Sequence, residues 1–158
     1  MFIKDFSLSA CEGIAKTADP AHHRILIEKS KFEQFLISVA GTVPVETHKR
    51  IFEVLKQYHS NPDECFTIVS QPEFLAEGTA IHNLVHPDRV VIGTPKNENG
   101  LEAFELLKSL YSNQKVKVIH TRTASSELGK LMANAMLAQR ISSVNSITAL
   151  CEKTGASL

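Results

Sequence analysis

The sequence of 158 residues has no tryptophan, only two tyrosines and no excess of charge of either sign. Lysine plus arginine and aspartate plus glutamate number 17 each, so no net field favours nucleic acid or an anionic membrane surface. No apolar run approaches the roughly 18 residues that a membrane-spanning helix needs. The three cysteines, Cys11, Cys65 and Cys151, are spaced irregularly, which indicates reduced thiols, and the N-terminus lacks a signal-peptide pattern. We expect a cytoplasmic protein without a nucleic-acid or membrane partner.

Several motifs that carry chemistry are also missing. The G-x-G-x-x-G turn of dinucleotide-binding domains, the P-loop and the G-x-S-x-G nucleophile turn do not occur. His82 and His86 are four residues apart but have no carboxylate nearby in a zinc-protease pattern, so we predict no metal site. Cys65 and Cys151 fall in apolar segments, where we expect small buried side chains and not activated nucleophiles.

What the sequence does contain is an alternation of short apolar runs with amphipathic segments. The runs typical of buried strands are 24–28, 65–69, 89–93 and 116–119, and the segments with helical spacing are 5–17, 44–55 and 101–111. Strands that alternate with helices favour crossover connections, because neighbouring parallel strands need a long connection. We therefore predict an α/β fold with a mainly parallel sheet.

A long helix is predicted from about residue 125 to residue 153, a stretch without proline. Its apolar side is formed at three- and four-residue steps by Leu128, Leu131, Ala135, Ala138, Ile141, Val144, Thr148 and Cys151. Such a helix is about 40 Å long at its standard rise. One small sheet cannot cover that length, so we expect part of the helix to pack on another domain or subunit.

Two pairs of polar residues could carry chemistry. Glu73 and Glu77 follow a predicted strand, in a turn bounded by a proline and a glycine, and ligands of open parallel sheets gather at such strand ends. Lys130 and Asn134 are four apart on one face of the predicted long helix, where an ammonium and an amide could stabilise a developing oxyanion. Solvated carboxylates, a lysine extended to solvent and an asparagine bonded to its own helix remain the alternative.

Several segments, in the same order, resemble the UDP-glucose/GDP-mannose dehydrogenase family. They are 28–30, 42–45, 71–81, 87–93, 125–128 and the helix text NAMLAQRISSVNS at 134–146. The resemblance implies that residues 1–122 are the second half of an NAD-binding, Rossmann-like domain and residues 123–158 the start of a central helical dimerisation domain. It also implies oxidation of UDP-glucose to UDP-glucuronate with two NAD, in a homo-oligomer joined through the long helix.

The same resemblance assigns roles to individual residues. The implied catalytic residues are Glu73, Lys130, Asn134 and Thr42. The nucleotide sugar is expected to contact Glu73, Phe74, Leu75, Ala76, Glu77, Lys130 and Asn134, and NAD to contact Ser30, Thr42 and Glu77. The family's dinucleotide-binding loop and nucleophilic cysteine have no counterpart in this sequence. We therefore expect the chain alone to have little or no activity.

Residues 31–41 interrupt the resemblance. Their removal joins Ser30 directly to Thr42 and restores the family text EKSTVPV. Because the flanking codons can encode a splice donor and acceptor, we interpret the segment as a translated short intron. In the protein, it would lie at a strand end near the cofactor and perturb binding. Smaller departures are Gln71, where an asparagine is usual, and Gly129, which replaces a small polar residue.

Two other functions stay open. The substrate of the same reaction could be GDP-mannose or a UDP-N-acetyl sugar. A function of a different class is a non-catalytic interaction module, in which the apolar side of the long helix binds a partner chain and the carboxylates are vestigial.

Overall fold

A computed structural model describes the backbone of residues 24–29 and the residues from 35 to 157. In chain order it contains β1 (Arg24–Lys29), β2 (Phe35–Ala40), α1 (Thr47–Tyr58), α2 (Pro62–Cys65), β3 (Phe66–Ser70), α3 (Ala80–Val85), β4 (Arg89–Thr94), α4 (Glu98–Ser109), β5 (Lys117–Arg122) and α5 (Thr123–Thr154). The helix predicted at 5–17 and the candidate residue Ser30 lie outside the described residues.

The described strands form one five-stranded sheet in the order β1-β2-β3-β4-β5. β2 pairs parallel with β3, and β4 pairs parallel with β5. The helices α1 and α4, of 12 residues each, make the two crossovers that these parallel pairs require. β1 is antiparallel to β2, and β3 meets β4 antiparallel at one residue pair, Ser70 with Gly93. The α/β class with crossover helices is confirmed, and the sheet is mixed in direction.

The sequence patterns did not reveal the strand β2 or the short helices α2 and α3. Six residues of the segment 31–41 form this strand, which is paired on both sides and does not lie as a loop at a strand end. Four successive side chains, from Leu36 to Val39, are buried. An apolar run without alternation suits a strand that is covered on both faces. That the segment 31–41 is an insertion stays a prediction.

The two faces of the sheet carry separate apolar cores. The core beneath α1 consists of Ile37, Val39, Val43, Ile51, Leu55, Phe66 and Ile68. The core beneath α4 consists of Leu36, Val69, Val90, Ile92, Ala103, Phe104 and Leu107. Neighbouring strand residues such as Ile68 and Val69 fall in different cores because successive side chains point to opposite faces. Burial on both faces fixes the register of β3, at whose end the candidate loop begins.

The long predicted helix is present as α5, which has 32 residues and ends at Gly155 with a left-handed φ of 74°. It begins directly after β5, without an intervening loop. Its buried residues all lie in the first turns and are Thr123, Ser126, Glu127 and Lys130. Beyond them most of its apolar side chains are exposed. Among the described helices, none combines the length and the hydropathy needed to cross a bilayer.

Candidate functional site

The candidate site begins in the loop that follows β3. This loop carries Glu73, whose side chain is 39% exposed and whose Oε2 accepts a hydrogen bond from the Leu75 amide at 2.8 Å. Further along, the side-chain oxygen of Asn83 on α3 accepts hydrogen bonds from the Ala76 amide at 3.1 Å and from Thr79 Oγ1 at 2.9 Å. The loop is thus fixed by local hydrogen bonds, including bonds to a residue that the sequence patterns did not single out.

Lys130 reaches this loop from α5. Its Nζ lies 3.7 Å from Glu73 Oε2 and 4.9 Å from the centroid of the Phe74 ring, and its side chain is only 8% exposed. The structure therefore brings Glu73, Phe74 and Lys130 together, although 57 positions separate Glu73 from Lys130 in the sequence (130 − 73 = 57). The carboxylate and the face of the aromatic ring both attract a cation, so these two neighbours hold the Lys130 side chain in this position.

The Phe74 ring also contacts a second cation. Arg89, at the start of β4, places its guanidinium carbon 4.4 Å from the ring centroid. Because the ring has a guanidinium as well as an ammonium near it, two favourable electrostatic contacts hold it in place. Phe74 thereby fixes one wall of the space around Lys130.

A cavity of about 190 Å³ lies beside the same loop and includes Glu73, Phe74 and Arg89 in its lining. Gln71 and Tyr111 also line it, and Gln71 Nε2 donates a 2.6 Å hydrogen bond to the Tyr111 hydroxyl. Burial raises the pKa of Tyr111, and the hydrogen bond from Gln71 acts in the opposite direction. Gln71, a departure from the family text, thus links the loop to the chain just after α4.

Polar contacts hold the first turns of α5 against the sheet. Ser126 Oγ donates to the Ser70 carbonyl oxygen and contacts the Ser70 hydroxyl, both at 3.2 Å. A Cβ on Gly93 would lie 2.5 Å from the Ser126 Cβ, so only glycine permits this approach. These contacts place Lys130 one turn further along α5, at the end of β3.

Glu127 is a buried acidic residue that the sequence patterns did not identify. Its carboxylate accepts hydrogen bonds from the backbone amides of Glu46 at 2.7 Å and His48 at 3.0 Å. The His48 ring nitrogen Nδ1 lies 3.1 Å from both carboxylate oxygens. The position of Glu127, three residues before Lys130 on one helical face, was the available sequence signal.

The remaining candidate residues are placed less closely. Asn134 is exposed, and its side chain makes no hydrogen bond within the part of the chain that the structure describes. Leu75, Ala76 and Glu77 are exposed in the loop, and Thr42 is half-buried between β2 and α1. The helical spacing that pairs Asn134 with Lys130 is present, but α5 leaves the sheet after Lys130 and no described residue covers Asn134.

The metal and thiol candidates show no assembled site in the described residues. The rings of His82 and His86 lie 5.1 Å apart, and the residues that the structure describes contain no group of three potential metal ligands. Cys65 and Cys151 are half-buried free thiols, and Cys65 packs against the core beneath α1.

Two solved structures share this fold. A UDP-glucose dehydrogenase from Pyrobaculum islandicum superposes with a TM-score of 0.67 at 30% identity, over 77% of this chain and 27% of that chain. A GDP-mannose dehydrogenase from Pseudomonas aeruginosa superposes with a TM-score of 0.71 over 82% of this chain and 29% of that chain. The latter is 23% identical, which supports the shared fold alone.

Curated proteins of similar sequence include UDP-glucose 6-dehydrogenase 3 of Oryza sativa subsp. japonica, 44% identical over 92% of this chain and 31% of that protein. UDP-glucose 6-dehydrogenase of Caenorhabditis elegans is 46% identical over 85% of this chain and 26% of that protein. The chain thus spans about a third or less of the length of these relatives.

Two family models match the chain and together cover most of it. Residues 13–115 match the NAD binding domain of the UDP-glucose/GDP-mannose dehydrogenase family, and residues 124–158 match its central domain. With the fold and the relatives described above, these matches establish that the chain belongs to the UDP-glucose/GDP-mannose dehydrogenase family.

Proposed function

We propose that this chain is part of an NAD-dependent UDP-glucose 6-dehydrogenase, which oxidises UDP-glucose to UDP-glucuronate with two NAD. Residues 1–122 would be the second half of the NAD-binding domain and residues 123–158 the start of the central helical domain. The observation that carries the proposal is the nearly buried Lys130 ammonium, held 3.7 Å from Glu73 in a chain 44% identical to a UDP-glucose 6-dehydrogenase.

The side chains at this site suit the oxidation of an alcohol. As the alcohol loses its proton and a hydride, negative charge develops on its oxygen, and the Lys130 ammonium can stabilise that charge. The Glu73 carboxylate, 3.7 Å from Lys130, can accept the proton, and its hydrogen bond from the Leu75 amide fixes its orientation. Asn134, one helical turn beyond Lys130, would orient the sugar oxygen, and the backbone from Phe74 to Glu77 would line the nucleotide sugar.

NAD, when bound, supplies the hydride acceptor, and this chain would contact it through Ser30, Thr42 and Glu77. Thr42 makes no side-chain hydrogen bond within the described residues, so its hydroxyl is available to a ligand. The nearby start of α1 is not available to a phosphate, because the Glu127 carboxylate already occupies its amides. The pyrophosphate would therefore not bind at the start of α1. The family's covalent step uses a nucleophilic cysteine, which has no counterpart in this sequence.

Titration of the purified chain with UDP-glucose, followed by NMR or calorimetry, tests the substrate. We expect measurable binding that Lys130→Met weakens about tenfold, which corresponds to about 1.4 kcal/mol. Lys108→Met is the matched control, because Lys108 also pairs with a carboxylate at 3.2 Å and contacts a phenylalanine ring, but is exposed on α4. Equal affinity of Lys130→Met and the unchanged chain would remove the proposed role of Lys130.

Competition and turnover experiments separate the alternatives. We expect UDP-glucose to displace GDP-mannose and UDP-N-acetyl sugars, and preferential binding of either competitor would change the substrate within the same family.

We also expect the isolated chain to form little NADH from UDP-glucose. Robust NADH formation by the purified chain would contradict this expectation.

We further propose that the chain self-associates through the exposed apolar side of α5, where Leu137, Ile141 and Val144 are more than half exposed. Sedimentation should show an oligomer that Ile141→Asp dissociates and that Leu101→Asp, at an apolar position on α4 that is also more than half exposed, does not. A stable oligomer that fails to bind any nucleotide sugar would favour the interaction module over the enzyme.

We propose that the segment 31–41 is a translated intron. We also propose that the protein is cytoplasmic. In support, β1 and β2 have six residues each, so β1 can take the place of β2 beside β3 once the segment is removed. Sequencing of the transcript decides this point. A spliced message without these codons is the expected result, and mature protein that carries the segment would refute it.

A further inference from the structure

Glu127 is an acidic side chain that the proposed reaction does not use, although its environment is unusual. Only 1% of its side-chain surface is exposed, and no lysine or arginine forms an ion pair with it within the described residues. Its two carboxylate oxygens accept hydrogen bonds from the amides of Glu46 and His48 and lie 3.1 Å from His48 Nδ1. Burying a carboxylate is costly unless such bonds replace its hydration.

The partners of Glu127 lie at the start of α1, which lacks a cap of its own. The residue before this helix, Glu46, has a left-handed φ of 72° and makes no side-chain capping hydrogen bond. The amides of the first turn have no acceptor within their own helix and carry a partial positive charge. Glu127 supplies the acceptor from α5, 81 positions later in the chain. His48 Nδ1 also lies within hydrogen-bond distance of this carboxylate and donates to it in the tautomer that carries the hydrogen on Nδ1.

Glu127 and Lys130 are three residues apart and both are buried in the first turns of α5. Side chains at this spacing point from the same face of a helix, so a rotation of α5 that moves one of them moves the other. The start of α1 held by Glu127 is preceded by a turn at residues 45–46, which follows the irregular segment that contains Thr42. One carboxylate thus fixes the position of α5 relative to the turn that precedes α1.

We propose that Glu127 is a positioning residue of the nucleotide-sugar site. It holds α5 against α1, so that the Lys130 ammonium lies beside Glu73 and Phe74. The part of this inference that concerns ligand affinity rests on the proposed function, whereas the part that concerns the position of Lys130 does not.

The test variant is Glu127→Gln, measured in the full chain. Glutamine has one accepting oxygen, and its amide nitrogen would face an N–H donor, so at least one of the hydrogen bonds is lost. We expect hydrogen exchange of the Glu46 and His48 amides to rise at least tenfold and the Kd for UDP-glucose to rise about tenfold. Glu53→Gln is the control, because Glu53 is an exposed carboxylate on α1 that pairs only with Lys56. It should change neither quantity.

The NMR signals of the Lys130 side chain report its position without any ligand. Protons close to the face of the Phe74 ring are shifted upfield, and we expect Glu127→Gln to abolish this shift while Glu53→Gln preserves it. A folded Glu127→Gln chain that keeps both the shift and the affinity would show that Glu127 only caps α1, which would overturn the proposal. If the unchanged chain fails to bind UDP-glucose, the proposed function fails, and the ring-shift comparison alone decides the role of Glu127.

A milder variant covers the case in which Glu127→Gln does not fold. His48→Ala removes only the ring donor and leaves both backbone amides bonded to Glu127. We expect a partial loss of the Lys130 ring shift and about threefold weaker binding of UDP-glucose. Unchanged values in a folded His48→Ala chain, together with rapid exchange of the Glu46 amide in the unchanged chain, would refute the proposal.

Discussion

The first turns of α5 and the rest of the same helix differ in what they bury. From Thr123 to Lys130 the buried side chains are all polar, and these residues bond to β3, to the loop after it and to the start of α1. Further along, the apolar side chains of Met136, Leu137 and Ile141 are more than half exposed. This is the reverse of the usual arrangement of an amphipathic helix, in which apolar residues face the core.

This reversal indicates that the two parts of α5 have different structural roles. Burial of a carboxylate and an ammonium contributes little net stability compared with apolar packing, so the first turns are arranged to hold charges in defined places. The exposed apolar side chains form a surface that the described residues do not cover, as expected of a surface that binds another domain or subunit. Three experiments test this division within the helix.

The largest effect is expected from Gly93→Ala, which acts on the packed part of α5. The added Cβ would lie 2.5 Å from the Ser126 Cβ and 2.9 Å from the Arg122 carbonyl oxygen, so β4 and α5 would have to move apart. We expect the free energy of unfolding to fall by about 3 kcal/mol, the upper part of the range for overpacking. Urea unfolding measures it. A loss below about 0.5 kcal/mol would mean that α5 is not packed closely on β4.

Hydrogen exchange compares the two parts of the helix directly. The amide of Lys130 lies in a segment with tertiary contacts, whereas those of Ile141 and Val144 lie in a segment that depends on helical hydrogen bonds alone. At concentrations where the chain is monomeric, we expect exchange at Ile141 and Val144 to be about 100-fold faster than at Lys130. Slowing at Ile141 with rising concentration would support self-association through this surface. Equal rates in the monomer would contradict the division.

The smallest effect is expected from Gly129→Ala, which is also the matched control for Gly93→Ala. Gly129 lies on the exposed side of α5, and a Cβ there would meet no atom within 4 Å. Alanine costs less backbone entropy than glycine inside a helix, so we expect the chain to gain about 0.8 kcal/mol of stability. A higher melting temperature is the expected observation, and destabilisation would mean that this side of the helix is covered.

The sequence predictions that agree with the structure were based on regular patterns of apolar residues. The long helix was predicted from about 125 to 153 and extends from Thr123 to Thr154, because a proline-free stretch with helical spacing has few alternatives. The strands at 24–28 and 89–93 are present as β1 and β4. In contrast, the strand at Phe35–Ala40 was missed because this segment interrupts a resemblance, although its own apolar run is typical of a buried strand.

Local spacing in the sequence identified individual candidate residues of the site, but not the contacts between them. Lys130 and Glu73 were both candidates, but their 3.7 Å approach depends on how α5 docks on the sheet, which no local pattern encodes. Asn134 shares the helical face of Lys130 and is exposed, because α5 extends beyond the sheet at that point. Glu127 resembles a solvated helix charge in the sequence, and only the uncapped start of α1 explains its burial.

The direct passage of β5 into α5 has a mechanical consequence. Because no loop separates the strand from the helix, a tilt of α5 would pivot within its first two turns. The 24 residues from position 131 to position 154 span about 36 Å, so a 5° swing of the free arm corresponds to about 3 Å at its tip. A force applied at that tip would therefore act on the first turns of α5, which hold Lys130.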